Sequence, residues 1–198
     1  MGTRKRRKEK QNPVKLLLIG MILVGMLVGF YFYVNNKMEG TGAVQETDVV
    51  TKTQQVLLRN MEIQYPPSPK EVVRYYFEIT QCFYNEENTD EQIQDLALQI
   101  QKLYDDELIA NQTQEAYMQN LISEIAGMKQ NGVTLSHYST SPSTEVDFFE
   151  EDGYDWARLY ANFTLRQGSK LVESHEQFLL RKDAAGHWKI YGWQLVDK

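Results

Sequence analysis

Nineteen consecutive residues, Leu16 to Val34, carry no charge and are dominated by Leu, Ile, Val and Met. That length is close to the ~20 residues a helix needs to cross the hydrocarbon core of a bilayer. The stretch predicts a transmembrane helix, with the lipid bilayer as its partner. Arg4, Lys5, Arg6, Arg7, Lys8, Lys10 and Lys15 precede it, and Lys37 alone lies just beyond. Basic flanks stay cytoplasmic, so the C-terminal part is expected outside the cytoplasm. Phe30, Tyr31, Phe32 and Tyr33 at the outer end suit the headgroup layer. A cleaved signal peptide is the rival reading, and the bulky aromatics after a full-length span weigh against it. Gly25 and Gly29, four residues apart, would let two such helices approach, which predicts a weak homodimer through that face.

Charge divides the chain at the same place. Residues 1–15 hold seven basic residues against Glu9, whereas residues 16–198 hold fourteen basic against twenty-six acidic, so the formal net charge of -6 hides two opposed parts. The basic tail reads as a topogenic signal with some attraction for anionic lipid, and no nucleic-acid partner is expected. Arg6 stands where a myristoylation motif needs Ser or Thr, so that motif fails. The expected organisation is a cytoplasmic tail over 1–15, the span over 16–34, a linker over 35–67 and an outer domain over 68–198. The linker carries Gly40, Gly42 and Pro66-Pro67 and lacks a sustained apolar period, although Thr47 to Leu58 has the composition of a short helix.

In the outer domain the apolar period is near 3.6 first and near 2 afterwards. Ser68-Pro69-Lys70-Glu71 offers a capping box that starts a helix burying Val72, Tyr76, Ile79 and Phe83. Thr89 with Gln92 starts a second, with Ile93, Leu96, Ala97, Ile100, Leu103 and Tyr104 as its stripe. Asn111 or Thr113 opens a third, which buries Tyr117, Leu121, Ile125 and Met128 and stops at Asn131-Gly132. Five strands follow: Val133 to Thr140, Thr144 to Glu150, Trp156 to Arg166, Leu171 to Arg181 and Trp188 to Leu195, turning at Asp152-Gly153, Gly168-Ser169 and Asp183 to Gly186. Helices followed by a meander imply an α+β domain with three helices on one face of a curved antiparallel sheet.

The closing run Phe178-Leu179-Leu180-Arg181-Lys182-Asp183, then Gly186-His187-Trp188-Lys189-Ile190-Tyr191-Gly192-Trp193, resembles the last hairpin of nuclear transport factor 2-like (cystatin-like) cone domains. With Tyr65 to Val73 and Leu103-Tyr104-Asp105-Asp106-Glu107-Leu108, it is similar to a family of single-span, membrane-anchored proteins of Clostridium-related Firmicutes. The resemblance covers about residues 60 to 196 and implies location and fold, without an activity. Asp105 to Thr113 leaves little room for the hairpin such cones place between their second and third helices.

Cone domains also host isomerases and dehydratases, which work through a buried carboxylate or His. Asp147, Tyr160, His175 and Tyr191 are the residues that could project from the sheet for that purpose, and their spacing is not diagnostic. His137, His175 and His187 are scattered without ligand spacing, and Cys82 stands alone and reads as a small buried residue. Glu145, Asp147, Glu150, Glu151, Asp152 and Asp155 invite a calcium loop, but Phe148 and Leu159 occupy ligand positions, so a solvated hairpin tip is the reading. Asn111-Gln112-Thr113 and Asn162-Phe163-Thr164 match glycosylation acceptors, expected bare in a bacterium.

No catalytic, cofactor-binding or metal site is therefore expected. The function expected is a non-catalytic, membrane-anchored binding or protein-interaction module outside the cytoplasm, with a protein or small-molecule partner. Alternatives are an envelope-assembly subunit like the single-span proteins of conjugation and type IV secretion, and a cone enzyme with a buried His or Asp. The assembly reading lacks the Asn-Pro-x-Gly motif associated with those proteins, since Asn12-Pro13 precedes the span. In the last strand, alternation puts Trp188 and Ile190 on one face, with Tyr191 and Trp193 on the other.

Overall fold

Hydroxyl and carboxylate caps place the helices. In the computed structural model, which describes residues 50–196, Thr51 caps α1 (Lys52–Leu57) in a reciprocal box with Gln54. Ser68 caps α2 (Pro69–Asn85) through the Glu71 amide at 3.3 Å. Thr89 and Gln92 form a full box at α3 (Asp90–Gln101), Asp105 caps the four-residue α4 (Asp106–Ile109), and Thr113 caps α5 (Gln114–Gln130). Each cap satisfies an amide that the first helical turn leaves free. At Ser68 half of the expected box is missing, because the Glu71 carboxylate turns to Arg74 at 2.5 Å. The chain leaves α5 through Gly132 at φ +60°, a left-handed position that favours glycine.

The strands are β1 (Val133–Thr140), β2 (Asp147–Glu151), β3 (Tyr154–Gln167), β4 (Lys170–Lys182) and β5 (Trp188–Leu195), with a short 3₁₀ turn at Ser143–Glu145. All pair antiparallel in the order β1-β3-β4-β5, while β2 joins β3 through Asp147 to Glu151, which face Arg158 to Tyr154. A two-residue turn with Asp152 at φ 53° and Gly153 at φ 78° connects β2 to β3. Both positive angles match the twist of the hairpin it closes.

The core lies between one face of this sheet and the helices. Val72, Val73, Ile79, Cys82 and Phe83 of α2 are buried, as are Leu96 and Ala97 of α3 and Leu159, Phe178, Leu180 and Ile190 of the sheet. Tyr104 forms a parallel bridge with Ile190, and backbone bonds from Asp105 N to Ile190 O (2.9 Å) and Ile190 N to Leu103 O (2.7 Å) fasten the α3–α4 loop to the edge of β5.

Three expectations need correction. The fold anticipated as a transmembrane helix plus three helices on a curved sheet in a nuclear transport factor 2-like cone differs from the structure found. Among the described residues no helix is long and apolar enough to cross a membrane, and five α-helices accompany the sheet. The two longest helices are two-sided, each with buried apolar residues and a charged or polar outer face. Leu16–Val34 and the Gly25/Gly29 pair lie outside the described residues.

Second, part of the segment read as linker is packed. Val56 and Met61 are buried, the Tyr75 hydroxyl donates to Val56 O at 3.1 Å, Gln99 donates to Arg59 O at 2.9 Å, and the Tyr65 hydroxyl donates to Trp188 O at 2.8 Å. These contacts are made with residues far along the chain, so no local period announces them.

Third, alternation fails in β5. Leu180 faces Ile190, while the preceding Leu179 faces Gly192, which leaves Tyr191 as an extra residue with no opposite number. Such a bulge shifts every later side chain to the other face. Trp193 accordingly joins Ile190 on the helix side of the sheet, stacked on Phe178 with ring centroids 5.9 Å apart.

Candidate functional site

Inward-facing residues of β4 run Glu176, Phe178, Leu180, at the two-residue repeat of a strand. Phe178 and Leu180 are fully buried, and Glu176 on the same face retains 8% of its surface. Its ladder neighbours are Ala161 on β3 and Leu195 on β5, neither of which has a polar side chain. Among the described residues its carboxyl has no hydrogen-bond or ion-pair partner, and burial alone pushes it up to about 8. No side-chain oxygen among the described residues is both sealed and unpaired, so the Glu176 carboxyl borders accessible space.

The walls of that space carry hydroxyls and rings. Tyr76 and Tyr84 come from α2, Tyr104 from the loop after α3, and Tyr117 and Glu124 from α5. Trp193 closes the sheet side, 5.4 Å from the Tyr76 ring and 6.0 Å from the Tyr104 ring. All four tyrosines keep accessible surface, and Glu124 is exposed. Yet the four phenols are held well above their ordinary range and the Glu124 carboxyl is raised, with desolvation the first cause in every case. These side chains outline a recess between the helices and the sheet: each keeps accessible surface, and no side-chain oxygen among the described residues is sealed there without a partner. The Tyr84 hydroxyl donates to Glu124, and the Tyr104 and Tyr117 hydroxyls lie close enough to act on each other. Glu176 raises Tyr76 and Tyr84 further through its charge. No Lys, Arg or His contributes to the shift of Glu176 or of Glu124.

A second charged group sits at the edge of the α3–α4 loop. Arg181 reaches Asp105 through Nε to Oδ2 (2.9 Å) and Nη2 to Oδ1 (2.6 Å), and its Nη1 donates to Glu107 at 2.8 Å. Glu107 in turn accepts from the Tyr191 hydroxyl at 2.8 Å. The Tyr191 and Arg181 hydrogen bonds hold the Glu107 carboxyl below its usual range, and burial pushes Tyr191 up to about 12. Each guanidinium nitrogen and the Tyr191 hydroxyl has a carboxylate acceptor, so the group fastens the helical layer to the sheet.

The residues singled out from the sequence do not converge. Asp147 is exposed and pairs with Arg158 at 3.6 Å. Tyr160 lies on the outer face, where its hydroxyl accepts from Gln177 at 2.8 Å. The His175 ring meets the Asn162 side chain, and the His187 ring stacks on Tyr65 at 4.3 Å. Cys82 is buried, its thiol pushed up to about 11 by desolvation. Among the described residues no three His, Cys, Asp or Glu side chains come together as a metal site. Glu176, one residue beyond His175, is not among those candidates. The signal that finds it is register: it is the one acidic residue two positions from Phe178 and four from Leu180.

Fold and recess together define the class of protein: a helical layer on an antiparallel sheet, enclosing an acidic space lined by aromatic residues. The family described as a domain of unknown function (DUF6715) matches residues 4–193, and the chain belongs to that family. No curated protein matches the chain.

Proposed function

We propose that this chain is a non-catalytic binding module, and that the recess around Glu176 is where it takes a small-molecule ligand. The observation that supports this reading most is the buried Glu176 carboxyl with no partner among the described residues. A buried ionisable group is expensive unless something satisfies it, so a site that retains one is a candidate for ligand contact. A second carboxyl, Glu124, is raised in the same direction as Glu176, so the two do not divide into the separate acid and base that many acid–base sites use, and binding is the reading preferred.

The place of action in this proposal is outside the cytoplasm at the membrane, supported by the charge asymmetry about residues 16–34. Protease added to intact protoplasts should remove the C-terminal domain, and survival there with digestion after lysis would reverse the orientation.

The binding reading is tested by heating the full-length protein with a panel of cationic, neutral and anionic small molecules. At least one chemical class should raise the melting temperature of the native protein and fail to do so in Glu176→Leu. A panel in which no class does so would sink the reading.

A further inference from the structure

The chemistry of the recess limits what it can hold. Five aromatic side chains line it, four of them tyrosines, and the faces of such rings carry negative potential. Trp193 meets Tyr76 and Tyr104 at 52° and 37°, and those two meet each other at 46°, so the three rings form an angled cluster and no flat stack. Two carboxyls, Glu176 from the sheet and Glu124 from the helix opposite, are the groups on the walls named above that ionise before the tyrosines do. An anionic ligand would find no cationic side chain there to balance it. A divalent metal would find two carboxylates, short of a set of three. A neutral apolar ligand would leave Glu176 as unsatisfied as before.

Building on the binding reading above, we infer that the recess takes an organic ammonium cation, its charged head set between Glu176 and the faces of Trp193, Tyr76 and Tyr104. A cation held against desolvated rings is attracted by their negative faces, and a carboxylate beside it removes the charge imbalance. Tyr76 and Tyr84 on α2 lie close enough to Glu176 for its charge to act on them, Tyr104 after α3 and Tyr117 and Glu124 on α5 neighbour those tyrosines, and β3 and β5 present Ala161, Trp193 and Leu195. The four tyrosines stay protonated through neutral pH, which leaves the two carboxyls to respond to the ligand. A bound cation favours ionised Glu176, so binding releases a proton to solvent below about pH 8. Affinity should rise with pH up to that point and level off above it.

Calorimetric titration of the full-length protein compares choline chloride, its uncharged isostere 3,3-dimethyl-1-butanol, sodium butyrate and potassium chloride. At pH 8.5 choline should bind at least ~tenfold more tightly than the isostere, in keeping with the ring and carboxylate contributions. Glu176→Gln should bring that ratio near one and flatten the pH dependence. Trp193→Leu should weaken choline more than the isostere, and it serves as the second variant if Glu176→Gln does not fold. Equal affinity for choline and its isostere would overturn the inference, as would an equal response to potassium chloride or a ratio unchanged in both variants. Preferential binding of butyrate or of the isostere would overturn the cation inference while upholding a binding site. Binding by none of the four, in a protein no small molecule stabilises, would overturn the binding reading itself.

Discussion

Arg181 grips Asp105 through two near-parallel hydrogen bonds, 2.9 and 2.6 Å long, across seventy-six residues of chain. The pair joins the α3–α4 loop to β4, with 14% and 7% of the two side chains exposed. The guanidinium also lies over the Tyr154 and Tyr191 rings at 4.7 and 5.0 Å, so it is packed as well as paired. Removing one partner of a buried pair leaves the other charge uncompensated, which costs ~3 to 5 kcal/mol. Asp105→Ala should lose about that much in urea unfolding. Glu107→Ala should lose less, because Glu107 is more exposed and Arg181 keeps its two bonds to Asp105.

Glu176 sets a pH dependence with an unusual sign for a carboxylate. Its folded pKa of about 8 lies above the ordinary 4.5, so between those values the folded state holds a proton that the unfolded state has released. Its contribution to stability is therefore full below about pH 4.5 and lost as pH rises through 8. Glu176→Gln keeps the shape without the titration. It should exceed the native protein in stability by on the order of 2 to 4 kcal/mol at pH 9, with the gap closing toward pH 5. Parallel denaturation curves at four pH values check this.

The two tryptophans of β5 should separate on mutation. Trp188 is buried beside Ile190, and Trp188→Ala should cost ~3 to 5 kcal/mol, as large core truncations do. Trp193 borders the recess and is half-buried, so Trp193→Ala should cost clearly less. Equal costs would mean that no open space lies beside Trp193.

Much of this architecture is legible from the residues. Ser68, Thr89 and Thr113 announce their helices because a side-chain hydroxyl before an apolar period has few other uses. β1 and β5 begin and end where expected, at Val133–Thr140 and Trp188–Leu195, because alternation and glycine turns are local signals. What escapes a sequence reading is set at a distance. The bulge at Tyr191 depends on pairing with Leu179 and Leu180, and it alone carries Trp193 into the recess. Glu176 in Glu173-Ser174-His175-Glu176 looks like a solvated strand until Phe178 fixes its face. The packing of Val56 and Met61 has no helical period to advertise it. The short helix Asp106–Ile109 is only four residues long, too brief to leave a periodic trace.

That packing makes a prediction about boundaries. A chain beginning at Ser68 lacks Thr53, Val56 and Met61, all buried, as well as the Tyr65 bond to Trp188. It should melt well below a chain beginning at Val50, because each buried aliphatic side chain contributes about 1.5 to 3 kcal/mol. Coincident melting curves would mean that residues 50–67 are not part of the folded unit.

The site stands or falls on the state of a single carboxyl. Carbon-13 labelling of the glutamate side chains, with Glu176→Gln used to assign the resonance, allows Glu176 to be titrated by NMR in the intact protein. A midpoint near 8 is the predicted result, that of a carboxyl facing a desolvated recess without a cationic partner. A midpoint near 4.5 would show Glu176 solvated or paired and would contradict the account of the recess.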